Sequence, residues 1–352
     1  MSGPRASVRT GTLCRDMPRE SLVHLPTPLE HAPGLSRALG VNLFIKREDL
    51  AGLCVGGNKS RLLEFALGRI RAEGADTLIA YAADQSNKLR DIAAAAARAG
   101  MRAVLLLPGA RSTSLQGNRL LDDLLGAEVR EVGPDLDDAG VLAAEMAVRD
   151  DEAARGWRPA VLDRRLDYGI DATVAYVDAA EELASQLAAA DLAPEAVFIA
   201  AGAGMTVAGL ALGMKHLGAP TRVTGVCISR RAADLLPDIL WQAGRATAAL
   251  GLSTPLEAGD LTLDDGQIGA GYGVVTAGLR EVIRRYARAH GMVLDPVYNA
   301  KVALALVRQV ESGMIRPGAT VVQVNTGGGP AIFDYAADLM APDWVRVAEG
   351  AA

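Results

Sequence analysis

Apolar runs recur along the chain at 41–46, 77–81, 103–107, 128–132, 196–200, 222–228 and 320–324, and each reads as a strand. Between them lie longer stretches with an apolar residue every three or four positions. These stretches, at 87–99, 115–125, 138–155, 172–189, 207–217, 276–289 and 300–311, predict helices. A further helix opens near residue 59, where Leu62, Leu63, Phe65, Ala66, Leu67 and Ile70 share one spacing. Apolar strands separated by helices need covering on both faces, so the alternation predicts an α/β fold of parallel twisted sheets flanked by helices. Residues 1–20 are polar and weakly patterned, and read as a loose arm. No apolar run has the length to cross a bilayer, and no signal-peptide core is evident. Membrane attachment and export are therefore not expected.

At 352 residues the chain exceeds one ordinary domain, which suggests two lobes. Half of it is hydrophobic but only 4% is aromatic, so Ala, Leu and Val must build the core. A formal charge of −6 argues against a nucleic-acid or anionic-membrane surface and leaves a small molecule as the expected partner. Cys14, Cys54 and Cys227 are too scattered for a disulfide framework or a metal site, which suits a reducing cytoplasm.

Five segments carry candidate chemistry. In 46–61 (KREDLAGLCVGGNKSR), Gly56 and Gly57 allow a tight turn, and Lys59 falls at a helix start, the unfavourable end for a cation. Such an amine deprotonates more easily, as a covalent-catalysis lysine requires. The nucleotide-triphosphatase phosphate loop is excluded, because Asn58 separates Gly57 from Lys59. Ser86 and Asn87 are helix-capping residues whose first turn offers amides to a carboxylate. Gly202, Ala203 and Gly204, followed by Met205 and Thr206, form a glycine turn into a helix that suits a phosphate. A dinucleotide fingerprint fails there, since Val207 stands where glycine is needed. Tyr272 and Tyr298 could exchange protons if their pKa values were lowered. Asn299 follows Tyr298, and Thr326 precedes three glycines at the end of the last strand.

Together with 25–30 (LPTPLE), these segments resemble the fold type II (tryptophan synthase beta-like) pyridoxal-phosphate enzymes over roughly residues 25–335. Within them the likeness is to the branch holding 1-aminocyclopropane-1-carboxylate deaminase, D-cysteine desulfhydrase and L-cysteate sulfo-lyase. The resemblance implies that Lys59, next to Asn58, carries pyridoxal 5'-phosphate and that residues 202–206 hold its phosphate. It places Asn87 at the cofactor's phenolic oxygen and Thr326, with Asn299, at the far end of its ring. Ser86, Asn87, Tyr272 and Tyr298 would then face the substrate. It also implies a small lobe, 59–171, inserted into a large cofactor-binding one, 1–58 plus 172–352, and a homodimer.

Departures from the family pattern occur at Ala82-Ala83-Asp84, Lys88, Met205, Asn299, Asn325 and 167–171. Lys88 either adds a cation for an anionic substrate group or points to solvent. Asn299 cannot act as the carboxylic acid found in ring-opening deaminases. The resulting expectation is α,β-elimination from D-cysteine or a cysteate-like amino acid. Aminocyclopropane carboxylate and an unusual specialised-metabolism substrate are the alternatives, and a silent ligand sensor or a nicotinamide oxidoreductase are rivals from other classes.

Overall fold

The computed structural model describes residues 12–109 and 116–340. Their elements, in chain order, are β1 (Leu29–His31), α1 (Pro33–Leu39), β2 (Asn42–Arg47), α2 (Asn58–Ala72), β3 (Thr77–Tyr81), α3 (Asn87–Ala99), β4 (Arg102–Pro108), α4 (Gly117–Leu124), β5 (Glu128–Val132), α5 (Asp138–Ala154) and β6 (Pro159–Val161). There follow α6 (Asp167–Ala189), β7 (Ala196–Ala201), α7 (Met205–His216), β8 (Arg222–Cys227), α8 (Ala232–Leu250), β9 (Leu261–Asp264), α9 (Ala277–His290), α10 (Asn299–Glu311), β10 (Thr320–Asn325) and α11 (Ala336–Leu339).

The strands form two sheets, ordered β1-β2-β10-β7-β8-β9 and β5-β4-β3-β6. Every pairing is parallel except β1 against β2. Parallel strands need cover on both faces, and all of β7 is buried. The smaller sheet draws its strands from between Thr77 and Val161. Helix α6 packs on both α2 and α7 and so belongs to the walls of both layers. Glycines let α7 approach it closely: a Cβ on Gly209 would stand 2.1 Å from the Thr173 carbonyl oxygen.

The seven predicted strands are present with ends shifted by a residue or so. Those without a clear signal, β1, β6 and β9, are three or four residues long and lie at sheet edges, where half-burial asks for little apolar character. Helix α8 also escaped the pattern reading, because Pro237 interrupts it. The expected loose arm is corrected in part. Residues 1–11 lie outside the described region, but 12–20 are tied down: Thr12 donates to Glu181 at 2.7 Å, and Arg19 reaches Glu64 at 2.7 Å and Asp178 at 3.0 Å. Glu64 and Asp178 are buried carboxylates on α2 and α6, and a buried charge requires a partner.

A larger charged cluster lies below the start of α2. Arg61 is 0% exposed and meets Glu48 at 2.9 Å and Glu182 at 3.2 Å. Lys46 completes it, pairing with Glu182 and donating to the Thr27 carbonyl at 2.8 Å. Two cations and two carboxylates from β2, the turn after it, α2 and α6 thus neutralise one another in the core.

Candidate active site

Helices α2, α3 and α7 all begin at one cavity of about 170 Å³. The turn before α2 depends on glycine: Gly56 has φ +76° and a Cβ there would lie 1.9 Å from the Asp49 carbonyl oxygen. Gly57, at φ +128°, is the N-cap, so Lys59 is the second residue of the helix and faces the cavity. Burial, opposed by Asp91 and aided by Lys88, lowers the Lys59 pKa to about 8. No described residue accepts a hydrogen bond from its Nζ, which leaves the amine available.

Ser86 caps α3, and its Oγ accepts from the Lys88 amide at 3.2 Å and the Leu89 amide at 3.5 Å. Both lone pairs are thereby used, and the hydroxyl hydrogen remains to be donated. The Asn87 Oδ1 accepts from Asn118 at 2.9 Å and Arg90 at 3.3 Å, so its Nδ2 is the free donor. Opposite, Gly204 (φ +94°) starts α7, and the amides of its first turn have no intrahelical acceptor. Met205 is the first residue of α7 and lines the cavity. Asn58 Nδ2 donates to Thr206 Oγ1 at 3.3 Å, joining the lysine turn to the phosphate-type loop.

Lys88 is corrected from a solvent-facing option to a cavity wall residue. Its Nζ lies 5.4 Å over the ring of Tyr168 and donates to the Tyr81 carbonyl at 3.4 Å, with burial pulling its pKa down. Behind it lie the buried carboxylates Glu145, whose Oε1 accepts from the Tyr81 amide at 2.8 Å, and Asp163. Burial raises the Glu145 pKa to about 7, against the pull of Lys88. Asp163 sits near 2 despite burial, because Arg165 holds its anion.

Of the residues expected to touch cofactor or substrate, all but Tyr272 and Asn299 line the cavity. Tyr272 is 43% exposed beside it, its phenol 2.7 Å from that of Tyr298, with the rings edge-to-face. Burial raises both phenol pKa values, contrary to the lowering that proton exchange would need, so the pair acts as neutral hydrogen-bonding groups. Asn299 lies behind Thr326 instead of on the wall. Its Oδ1 accepts from the Thr326 amide at 2.8 Å and from Thr326 Oγ1 at 3.2 Å, while Nδ2 donates to Asp295 and to the Gly327 carbonyl, both at 2.6 Å. The neutral amide is placed there by its ability to donate and accept at once.

Several contributors carried no sequence signal. Arg90 donates to the Gly56 carbonyl at 2.8 Å and pairs with Asp91, which fixes the turn before Lys59. Asp295 takes the amides of Val297, Tyr298 and Asn299, which sets the start of α10. Tyr168 lines the cavity from the first turn of α6. In sequence that turn, 167–171, shows only as a departure from the family pattern.

An amine of depressed pKa, a helix start with free amides and a hydroxyl at Thr326 fit the aldehyde, phosphate and ring of a pyridoxal phosphate. The chain belongs to the pyridoxal-phosphate dependent enzymes, whose family model matches residues 20–327, and its cofactor is pyridoxal 5'-phosphate. Among solved structures it is similar to an ACC deaminase homologue at 30% identity, covering 96% of this chain and 99% of that one with a TM-score of 0.85. It also shares its fold with threonine deaminase isoform 2 from Solanum lycopersicum (20% identity, 90% and 83% covered, TM-score 0.64). O-ureido-L-serine synthase is alike in the same sense (16% identity, 96% and 98% covered, TM-score 0.65). Among the described residues no helix is long and apolar enough to cross a membrane, and no cluster could hold a metal.

Proposed function

We propose that this protein is a lyase that eliminates the β-substituent of a small amino acid, D-cysteine or a cysteate-like compound, to give a keto acid and ammonia. The observation that carries the reading is the Lys59 amine, lowered to about pKa 8, facing the same cavity as the starts of α3 and α7. Bound pyridoxal phosphate supplies the electron sink for charge developing at the substrate α-carbon. Lys59 Nζ would hold the cofactor and, as a free amine, would accept the α-proton. The Ser86 hydroxyl and Asn87 Nδ2 donate to the substrate carboxylate. As the Cα–H bond breaks, the Cβ–substituent bond breaks with its electron pair. The unsaturated amino acid so formed takes up water and loses ammonia. The Tyr272–Tyr298 pair presents a phenolic hydrogen to the departing group.

Lys88 supports an anionic substituent. Its ammonium makes one long hydrogen bond, lies over an aromatic face and feels Glu145 and Asp163 behind it, and so keeps donor capacity for a sulfonate or carboxylate. Lys88→Met is expected to raise KM for cysteate about 10- to 100-fold relative to β-chloro-D-alanine, as befits one charged hydrogen bond. Equal effects on the two substrates would remove Lys88 from recognition. A pH dependence follows. Above about pH 7 Glu145 loses its proton, and the added negative charge offsets the field of Lys88. The cysteate to β-chloro-D-alanine KM ratio is expected to rise on going from about pH 6 to 8, with Glu145→Gln flattening that rise. A ratio that still climbs in Glu145→Gln would assign the effect elsewhere.

Aminocyclopropane carboxylate is the second reading, favoured by the likeness to an ACC deaminase homologue and opposed by the neutral amide at Asn299. Keto-acid release from D-cysteine, cysteate and aminocyclopropane carboxylate separates these substrates. Release from none of them would favour a sensor. On the same reading the enzyme is a cytoplasmic homodimer, with no nucleic-acid partner and with 59–171 as its smaller lobe. Its net charge of −6 and scattered cysteines support that setting.

A further inference from the structure

Lys301, in the first turn of α10, is 1% exposed, and among the described residues no carboxylate forms an ion pair with it. Instead its three N–H groups find three main-chain carbonyls: Ile228 at 2.8 Å, Ile268 at 2.8 Å and Gly271 at 3.2 Å. An ammonium buried without a counter-ion is costly, so its position calls for a reason. The first carbonyl follows β8, the strand beside β7. The other two belong to the segment between β9 and α9, and Gly271 immediately precedes Tyr272.

That segment is tied at its ends, where Ile268 and Val275 pack on the core and Asp265 accepts from the Ala232 amide, and its middle is glycine-rich. Gly269, Gly271 and Gly273 all have positive φ, at +64°, +144° and +73°, so its unconstrained chain has access to many conformations. Apart from the Lys301 bonds and the phenol contact, Tyr272 is partly exposed. Tyr298, its hydrogen-bond partner, lies three residues before Lys301 on the same helix start. One short stretch of α10 thus holds the Tyr272 segment at two points, the backbone through Lys301 and the phenol through Tyr298.

We propose that Lys301 is a positioning residue, an ammonium clasp that fixes the Tyr272 segment over the active-site cavity by saturating its donors with carbonyls from both sides. The inference rests on the elimination reading only for what Tyr272 does, and not for the clasp itself. Lys301→Met keeps an unbranched side chain of similar length and removes the three donors.

Two measurements on the holoenzyme test it. The first is amide hydrogen exchange, which needs no substrate. Lys301→Met is expected to speed exchange at 266–275 at least about 10-fold while α6, α7 and β7 keep their protection. Unchanged exchange in that segment, or a uniform rise across the large sheet, overturns the clasp. The second is a double-mutant cycle with Tyr272→Phe on D-cysteine, cysteate and aminocyclopropane carboxylate. The single change at Lys301 is expected to raise KM more than it lowers kcat, and the two changes are expected to be non-additive, because a displaced Tyr272 has no contact left to lose. Additive effects overturn the link to Tyr272. Turnover of none of the three substrates would count against the proposed reaction and leave hydrogen exchange to decide the clasp. Should Lys301→Met fail to fold, Lys301→Gln, which retains two donors, takes its place in both measurements.

Discussion

Lys59→Ala is expected to fold, and to lose about 10⁴-fold or more of keto-acid release together with any borohydride-stable adduct at residue 59. The size follows from removing in one step both the group that holds the cofactor and the base that takes the α-proton. Folding should survive, because Lys59 makes no hydrogen bond to a described residue, and removing an amine from a desolvating site relieves a cost. Wild-type protein should show a visible cofactor band that borohydride bleaches, with the reduced adduct mapping by peptide mass to Lys59. Capture of added pyridoxal phosphate by the apoprotein should quicken as pH rises through about 8, where the amine loses its proton. Normal turnover by folded Lys59→Ala would end the assignment.

The largest expected effect on stability lies two residues further along the same helix. Arg61→Met removes one of two cations from the buried cluster and leaves Glu48 and Glu182 to share Lys46. Breaking such a buried set by deleting one partner costs about 3–5 kcal/mol, because a carboxylate is left desolvated and uncompensated. Urea denaturation should show the loss as a lower midpoint with an unchanged slope. In the intact cluster the Glu48 and Glu182 pKa values lie below the ordinary range despite burial, because Arg61 and Lys46 stabilise their anions. Stability from the pair is therefore present above the ordinary carboxylate pKa and is lost as pH falls below it. Arg61→Met should weaken this acid sensitivity as well as lowering stability at neutral pH. A loss under about 1 kcal/mol would mean that the four charges are not coupled as their distances imply.

The parts of the molecule legible in its sequence share a physical property: their signals are local. The glycines before Lys59, the capping Ser86 and the turn into α7 announce themselves within a few residues, since each must solve a backbone problem where it stands. Buried central strands are legible for a similar reason, being apolar along their whole length. What escaped depends on distant partners. Asn299 acts through Thr326 and Gly327, whose loop comes almost thirty positions later, and Lys301 acts through carbonyls, which no side chain reveals. Lys88 shows the same limit, for its spacing allowed two directions and only Tyr168 and Tyr81 decide between them. For Tyr272 and Tyr298 the sequence leaves proton exchange conditional on a lowered pKa, and only the fold, which supplies the burial, shows both raised.

The convergence of three helix starts on one cavity also bears on how quickly a ligand arrives. Each start presents the positive end of a backbone dipole. The cofactor's phosphate and aldehyde claim the start of α7 and Lys59, which leaves the start of α3, with Lys88 beside it, as the positive feature open to a further ligand. Salt shortens the reach of that field to about 8 Å at physiological ionic strength, which confines it to molecules already at the mouth. A carboxylate that has reached the rim is therefore drawn inward, while one further off is not steered.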